Sequence, residues 1–102
     1  MRPCSWAMTE LEVVCRQAFD GWNCHVTVAD DDGTRTEHDV SVTRSERDRY
    51  APNSDVHMLV NASFRFLLSN EPKESILGHF AISDIERYFR SYANAVAARL
   101  GE

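Results

Sequence analysis

Few residues of this 102-residue chain could do chemistry, and the acidic run Asp30-Asp31-Asp32-Gly33 is the most conspicuous candidate. Hard cations such as Ca²⁺ prefer clustered carboxylate oxygens, so the run has the residue types of a calcium loop. The spacing does not fit an EF-hand. With Gly33 as the loop glycine, Val28 falls at the first ligand position and Asp39 at the position of the bidentate Glu. We therefore predict a hairpin turn here and no metal site.

The four histidines, His25, His38, His57 and His79, show no spacing typical of a metal site. His25 and Asp39 could form an imidazole–carboxylate pair, which is the orienting half of a catalytic triad. No G-x-S-x-G or equivalent sequence supplies a nucleophile. We therefore favour a cross-strand surface pair over a catalytic one and expect no enzymatic activity.

The three cysteines, Cys4, Cys15 and Cys24, are odd in number and contain no C-x-x-C. The sequence therefore predicts neither a disulfide framework nor a zinc site. Cys15 and Cys24 could form a redox pair, but nothing in the sequence near them would lower a thiol pKa, so we favour small buried apolar roles. We expect a reducing compartment, the cytoplasm, and no cofactor.

The charge balance argues against polyanionic partners. Sixteen acidic and eleven basic residues give a formal charge of −5, which repels nucleic acid and anionic membranes. Arg44, Arg47 and Arg49 do cluster, but Glu46 and Asp48 alternate with them. No apolar run approaches the roughly 20 residues of a membrane span. We expect no nucleic-acid and no membrane partner.

Alternating side chains predict an antiparallel hairpin with strands at 22–30 and 34–43. Both apolar sets share one sheet face only if even positions oppose even positions. A three-residue loop with Gly33 in a left-handed conformation satisfies that requirement. The predicted cross-strand pairs are Asp30 with Thr34, Val28 with Thr36, Val26 with His38, Cys24 with Val40, Trp22 with Val42 and His25 with Asp39.

Residues 1–21 form either an extension or a short helix that begins with a Thr9–Glu12 capping box, runs through Phe19 and stops at Asp20-Gly21. Thr43 or Ser45 caps a short turn through Tyr50. Further helices are predicted near 55–69, 72–78 and 84–100. Their signals are Ser54 as N-cap, Pro72 as first helical residue, Ser83–Glu86 as a capping box and Gly101 as the stop. The prediction is one α+β domain at 22–102, an antiparallel β-hairpin packed against about three helices.

Two groups of residues are not needed to form this fold. Met58, Ala62 and Phe66 form a second apolar row on the helix near 55–69, which indicates a partner. Charged side chains around Pro72 form a possible polar recognition patch: Arg65, Lys73, Glu74, Glu86 and Arg87. Local ion pairing is the alternative for this patch.

Three segments of the chain carry a resemblance to a known family: Ala62-Ser-Phe-Arg-Phe-Leu-Leu, Glu71-Pro-Lys-Glu-Ser-Ile-Leu and Ile85-Glu-Arg-Tyr-Phe. Residues 22–92 resemble a family of small, functionally uncharacterised bacterial proteins, and the Arg-rich composition suggests an actinobacterial source. The resemblance implies a shared small α+β fold and no transferable activity. Gly78-His79 departs from the pattern, and residues 1–20 lie outside it.

We expect a non-catalytic interaction module that self-associates, most simply as a homodimer, and that binds an unidentified protein partner. One alternative is a regulatory or antitoxin-like module that binds nucleic acid or a partner protein. Another is a small-ligand binder or an enzyme with a cleft near the Pro72 turn, formed for example by Arg65, His79 and Glu86.

Overall fold

The structure is a computed structural model that describes residues 10–30 and 33–101. A four-stranded sheet has the order β1-β2-β3-β4, antiparallel except for the parallel pair β3 and β4. The strands are β1 (Glu10–Ala18), β2 (Gly21–Ala29), β3 (Arg35–Thr43) and β4 (His79–Ala81). The helices are α1 (Arg44–Tyr50), α2 (Val56–Asn70), α3 (Asp84–Tyr88) and α4 (Tyr92–Leu100). The α+β class is confirmed, with two strands more than the predicted hairpin.

The predicted register of β2 and β3 is confirmed. Val26 lies opposite His38, Cys24 opposite Val40 and His25 opposite Asp39. At the turn, the Asp30 amide donates to the Thr34 carbonyl at 2.9 Å, and Gly33 has a φ of 90°. The predicted left-handed glycine is therefore present, while Asp31 and Asp32 lie outside the described residues.

The short helix predicted through Phe19 is wrong, because residues 10–18 form strand β1. Its inward residues repeat every second position, with Leu11 opposite Val28 and Val13 opposite Val26. Pairing with β2 overrides the weak helical pattern. Asp20-Gly21 was predicted as a helix stop. Asp20 instead ends the two-residue connection between β1 and β2, and Gly21 begins β2. A Cβ on Gly21 would lie 2.0 Å from the Val42 carbonyl oxygen.

The expected absence of disulfides is also wrong for one pair. Cys15 and Cys24 are cross-strand partners in β1 and β2 and are joined by a disulfide. The sequence argument against this pair concerned thiol reactivity, which a structural disulfide between paired strands does not require. Cys4 lies outside the described residues.

The first helices begin as their caps dictate. Thr43 and Glu46 form a reciprocal capping box on α1. At α2 the cap is Asp55 and not the predicted Ser54, since the Asp55 carboxylate accepts from the Met58 amide at 2.8 Å. Helix α2 then packs on β1 and β2 and brings its apolar residues into the core.

The long helix predicted at 84–100 is interrupted after Tyr88. Phe89 is extended, and the break lets Phe89 and Tyr92 both pack on Phe66, with ring centroids 5.6 and 5.7 Å away. The predicted Ser83–Glu86 capping box is absent because Ser83 has a helical backbone conformation, whereas a capping residue needs an extended one. Gly101 ends α4 in the predicted left-handed conformation.

The helix predicted at 72–78 is only a single 3₁₀ turn, Lys73–Ser75. Pro72 precedes this turn with an extended backbone. The chain then passes Gly78 and enters β4, which joins the sheet beside β3. This path from α2 through the turn to β4 creates a groove beside the turn.

Candidate binding groove

An apolar groove with a volume of about 370 Å³ lies beside the Pro72 turn. We call it the Pro72 groove. It is formed where the end of α2, the turn, β4 and α3 meet, so each of the three segments that carry the family resemblance contributes to it. Its lining consists of Leu67, Glu71, Ile76, Leu77, Phe80, Asp84, Ile85, Tyr88 and Phe89.

The floor of the Pro72 groove is fixed and its rim is exposed. Leu67, Ile76 and Ile85 are buried in the core cluster, so the floor is held by the fold itself. Leu77 and Tyr88, by contrast, are 51% and 70% exposed. A preformed apolar floor beside large exposed apolar side chains is typical of a binding site.

The rim also carries negative charge. Glu71 lines the Pro72 groove beside its apolar floor. The Asp84 carboxylate accepts from the Ala81 amide at 3.1 Å and lies 3.8 Å from the guanidinium of the exposed Arg87. An apolar site with two carboxylates favours a ligand that combines apolar and basic groups.

A buried histidine supports the rim and was not singled out from the sequence. His38 is 2% exposed, and its Nδ1 donates to the Leu77 carbonyl at 2.8 Å. Its Nε2 accepts from the Thr36 hydroxyl at 2.7 Å. The carbonyl can only accept, so the hydrogen bond fixes the tautomer with the proton on Nδ1. His38 thereby ties β3 to the loop that presents Leu77.

Lys73 anchors the turn from within. It is 4% exposed, and its Nζ lies 2.5 Å from Asp30 and 2.8 Å from Glu74. Hydrogen bonds to Asp30 and then Glu74 raise the pKa of Lys73, and the Lys73 bond lowers the pKa of Glu74. These two residues of the predicted patch therefore fix the turn against the β2–β3 connection.

The other charged residues of the predicted patch lie apart from this pair. Glu86 accepts from the Tyr50 hydroxyl at 2.8 Å and from Arg49 at 3.0 Å. Burial, followed by the Glu86 bond, raises the pKa of Tyr50 to about 12. Arg87 faces Asp84, and Arg65 lines one depression between α2 and α4 and another beside β1 and β2. The five side chains do not converge on one site.

The predicted apolar row is divided between core and surface. Ala62 and Phe66 are each 6% exposed and belong to the core, whereas Met58 is 49% exposed. Helix α4 packs against α2 and covers Ala62 and Phe66, a contact that the sequence did not show. Of the three residues, Met58 alone remains available to a partner.

A second polar cluster lies on the sheet face opposite the helices. His25 contacts Asp39 through Nδ1 at 2.9 Å and Glu37 through Nε2 at 3.0 Å. The hydrogen bond to Asp39, then that to Glu37, raises the pKa of His25 above 6.5. Both ring nitrogens are engaged. Within 10–30 and 33–101, no group of three or more His, Cys, Asp or Glu residues is arranged to hold a metal ion.

Comparison with protein-family models, curated proteins and solved structures gave no match to this chain. Within the residues that the structure describes, no helix has the length and apolar character needed to cross a membrane.

Proposed function

We propose that this protein is a non-catalytic interaction module whose Pro72 groove binds an apolar segment of a partner protein that also carries a basic residue. The observation behind this proposal is the pairing of a buried apolar floor with the exposed rim side chains Leu77 and Tyr88. Tyr is one of the residue types that dominate interface hot spots, and Leu77 adds apolar area beside it.

The size of the exposed apolar surface supports a macromolecular partner. Complete burial of a Leu side chain contributes about 2 kcal/mol, so covering Leu77 and Tyr88 together would drive measurable association. Both side chains lie at the rim, where a segment that extends beyond the groove would contact them. A small ligand confined to the floor would leave much of this apolar surface in water.

Charge supports the basic residue in the proposed partner. Glu71 and Asp84 flank the apolar floor, and the chain has a formal charge of −5. An Arg or Lys that reaches Glu71 would form an ion pair at the edge of a desolvated surface. Such a pair adds specificity and association rate more than affinity.

The proposal also includes self-association as a homodimer. The Cys15–Cys24 disulfide removes the cysteine argument for a cytoplasmic location, because disulfides persist mainly in oxidising compartments. An acidic chain whose open sheet face carries Glu37 and Asp39 fits a protein partner better than nucleic acid. A regulatory or antitoxin-like role remains compatible with the groove when its target is a protein. An enzymatic role would need a nucleophile or metal in the groove, and its described lining is mainly apolar.

Selection of peptides from a random displayed library tests the groove. We expect selected peptides to combine apolar residues with Arg or Lys, and we expect Leu77→Glu to weaken their binding by at least tenfold. The matched control is Phe19→Glu, which also replaces an exposed apolar side chain but lies in the β1–β2 connection. Peptides that bind Leu77→Glu as well as the unmodified protein would contradict the proposal. Selection of neutral or acidic peptides would contradict its charge component.

A further inference from the structure

Within residues 10–30 and 33–101, no strand pairs with the outer side of β1. It stands at the end of the sheet and pairs with β2 alone, and no other strand among the described residues lies beyond it. At nine residues it is much longer than β4, the three-residue strand at the opposite edge. A long open edge presents backbone donors and acceptors to any extended segment, including the same strand of a second copy.

A contact from α2 shows which residues of β1 face outward. His57 Nε2 donates to the Val13 carbonyl at 2.8 Å, so this carbonyl points away from β2. Backbone groups alternate in direction along a strand, so Leu11, Cys15 and Gln17 also direct their groups outward. Any strand that pairs with β1 must bond to these odd-numbered positions.

The even-numbered side chains lie on the sheet face opposite the helices. Glu12, Val14 and Arg16 alternate there as acid, apolar residue and base, and Val14 is 51% exposed. Charged side chains commonly protect edge strands from pairing. Here the opposite charges sit symmetrically about one apolar residue, two positions away on each side.

That symmetry selects one register for pairing β1 with a second copy. In an antiparallel arrangement centred on Val14, Val14 meets the partner's Val14, and Glu12 meets the partner's Arg16 twice. Centring on Glu12 or Arg16 places like charges opposite each other. Centring on Val13 pairs Arg16 with the partner's Glu10 but sets Val14 against the partner's Glu12. Centring on Cys15 sets Val14 against the partner's Arg16. Registers that place odd against even positions fail to match the outward backbone groups.

We propose that two copies of this chain join along β1 in the antiparallel register centred on Val14 and form one continuous eight-stranded sheet. This inference deepens the proposed self-association, on which it rests, and is independent of the Pro72 groove. The two-fold axis passes between the two Val14 residues, which makes the interface isologous, with the same residues contributed by both copies.

The first turn of α2 enlarges the interface on the helix side. Because His57 contacts Val13, that turn lies beside the outer edge of β1, close to the proposed axis. Met58 follows directly and is 49% exposed. Stable interfaces usually bury at least about 1,200 Å², and a nine-residue edge alone supplies less, so Met58 adds the apolar contact that the edge lacks. The Val13 carbonyl retains a second lone pair for the partner's Cys15 amide.

Charge reversal tests the register. Glu12→Arg and Arg16→Glu each turn two attractive pairs into two repulsive ones, so each should weaken dimerisation about tenfold. The Glu12→Arg/Arg16→Glu double variant restores both pairs and should return to within about threefold of the unmodified protein. Sedimentation equilibrium measures all four proteins. Dimerisation that is insensitive to both single reversals, or a double variant weaker than either, would overturn the register.

Cysteine cross-linking gives a second, independent measurement. Val14→Cys should form an intermolecular disulfide across the axis under mild oxidation. Asn23→Cys, which sits on the same sheet face but on the interior strand β2, should not. Peptide mapping distinguishes the new 14–14 bond from exchange with Cys15 and Cys24.

The outcomes separate the interface from the self-association on which it rests. A dimer that resists 14–14 cross-linking would overturn the β1 interface and leave self-association standing. A monomer at tens of micromolar would overturn both, without bearing on the groove.

Discussion

The Pro72 groove and the outer edge of β1 present different chemistry to a partner. The groove offers apolar side chains on a buried floor, with Glu71 and Asp84 at its rim. The edge offers backbone hydrogen-bonding groups and two charges of opposite sign around Val14. Binding in the groove should therefore depend mainly on buried apolar area, whereas pairing at the edge should depend on register and salt concentration.

Each surface also depends on its own internal anchor. The groove loop is held by His38 and Lys73, which connect it to β3 and to the β2–β3 connection. The edge is held by the Cys15–Cys24 disulfide and by His57. Because the anchors are different residues, a substitution can damage the groove or the β1 edge without damaging the other surface.

Truncation of Phe66 should have the largest effect. Phe66 is buried against Phe89 and Tyr92, behind the groove, so Phe66→Ala should lower the free energy of unfolding by about 3–5 kcal/mol. Met58→Ala, on the edge side of α2, should stay within about 0.5 kcal/mol when both are measured on the monomer. Urea unfolding at low protein concentration compares them. Equal losses would contradict the division of this row between core and surface.

Removal of the disulfide should have the second-largest effect, and it should destabilise the β1 edge. The Cys15→Ser/Cys24→Ser variant frees a short loop, which should cost about 2–3 kcal/mol of unfolding free energy relative to the oxidised protein. Reductant should then have no further effect on the variant, and it should lower the stability of the unmodified protein. The affinity of groove peptides should not change. Loss of that affinity would show that the two surfaces are not separable.

Replacement of His38 should act on the groove. His38→Leu leaves the partly buried Leu77 carbonyl without its donor, so we expect a loss of about 1–2 kcal/mol and weaker peptide binding. Thr36→Val removes only the hydroxyl that His38 accepts from and is the matched control, with a smaller loss in stability and an unchanged groove. Unaltered peptide affinity in His38→Leu would contradict the role of His38 in holding the groove.

The smallest effect concerns pH and comes from His25, which lies on β2 directly opposite Val14 of β1. The raised pKa of His25 means that its contribution to stability is fully present below the unfolded value of 6.5 and is lost as pH rises through the folded value. Stability should therefore decline across that interval in the unmodified protein and decline less in His25→Asn. Thermal unfolding at several pH values measures the difference. The same slope in both proteins would exclude His25 as its source.

The hairpin could be predicted closely because a strand has a strict period of two. A single requirement, one shared apolar face for Trp22, Cys24 and Val40, fixed both the register and the loop length. The position of His25 opposite Asp39 followed from the same parity. Local pattern and tertiary structure agree in this part of the chain.

A cleft near the Pro72 turn was one predicted alternative, but its lining was predicted wrongly, because none of Arg65, His79 and Glu86 lines the Pro72 groove. The lining could not be predicted because it depends on contacts between distant segments. The sequence placed a helix at 72–78, but Lys73 pairs with Asp30, and the chain after one turn joins β3 as β4. Ser83 resembled an N-cap by residue type and lacked the backbone conformation that capping needs. Strand β1 was missed for the same reason, since its partner β2 and not its own pattern decides its conformation.

The assignment of the Pro72 groove as the binding site can be measured by calorimetry. A library-selected peptide is titrated into the unmodified protein, Leu77→Glu and Glu12→Arg. We expect at least a tenfold loss of affinity for Leu77→Glu and no change for Glu12→Arg, because the groove and the β1 edge are separate surfaces. Equal affinity in Leu77→Glu and the unmodified protein would contradict the assignment of the Pro72 groove as the binding site.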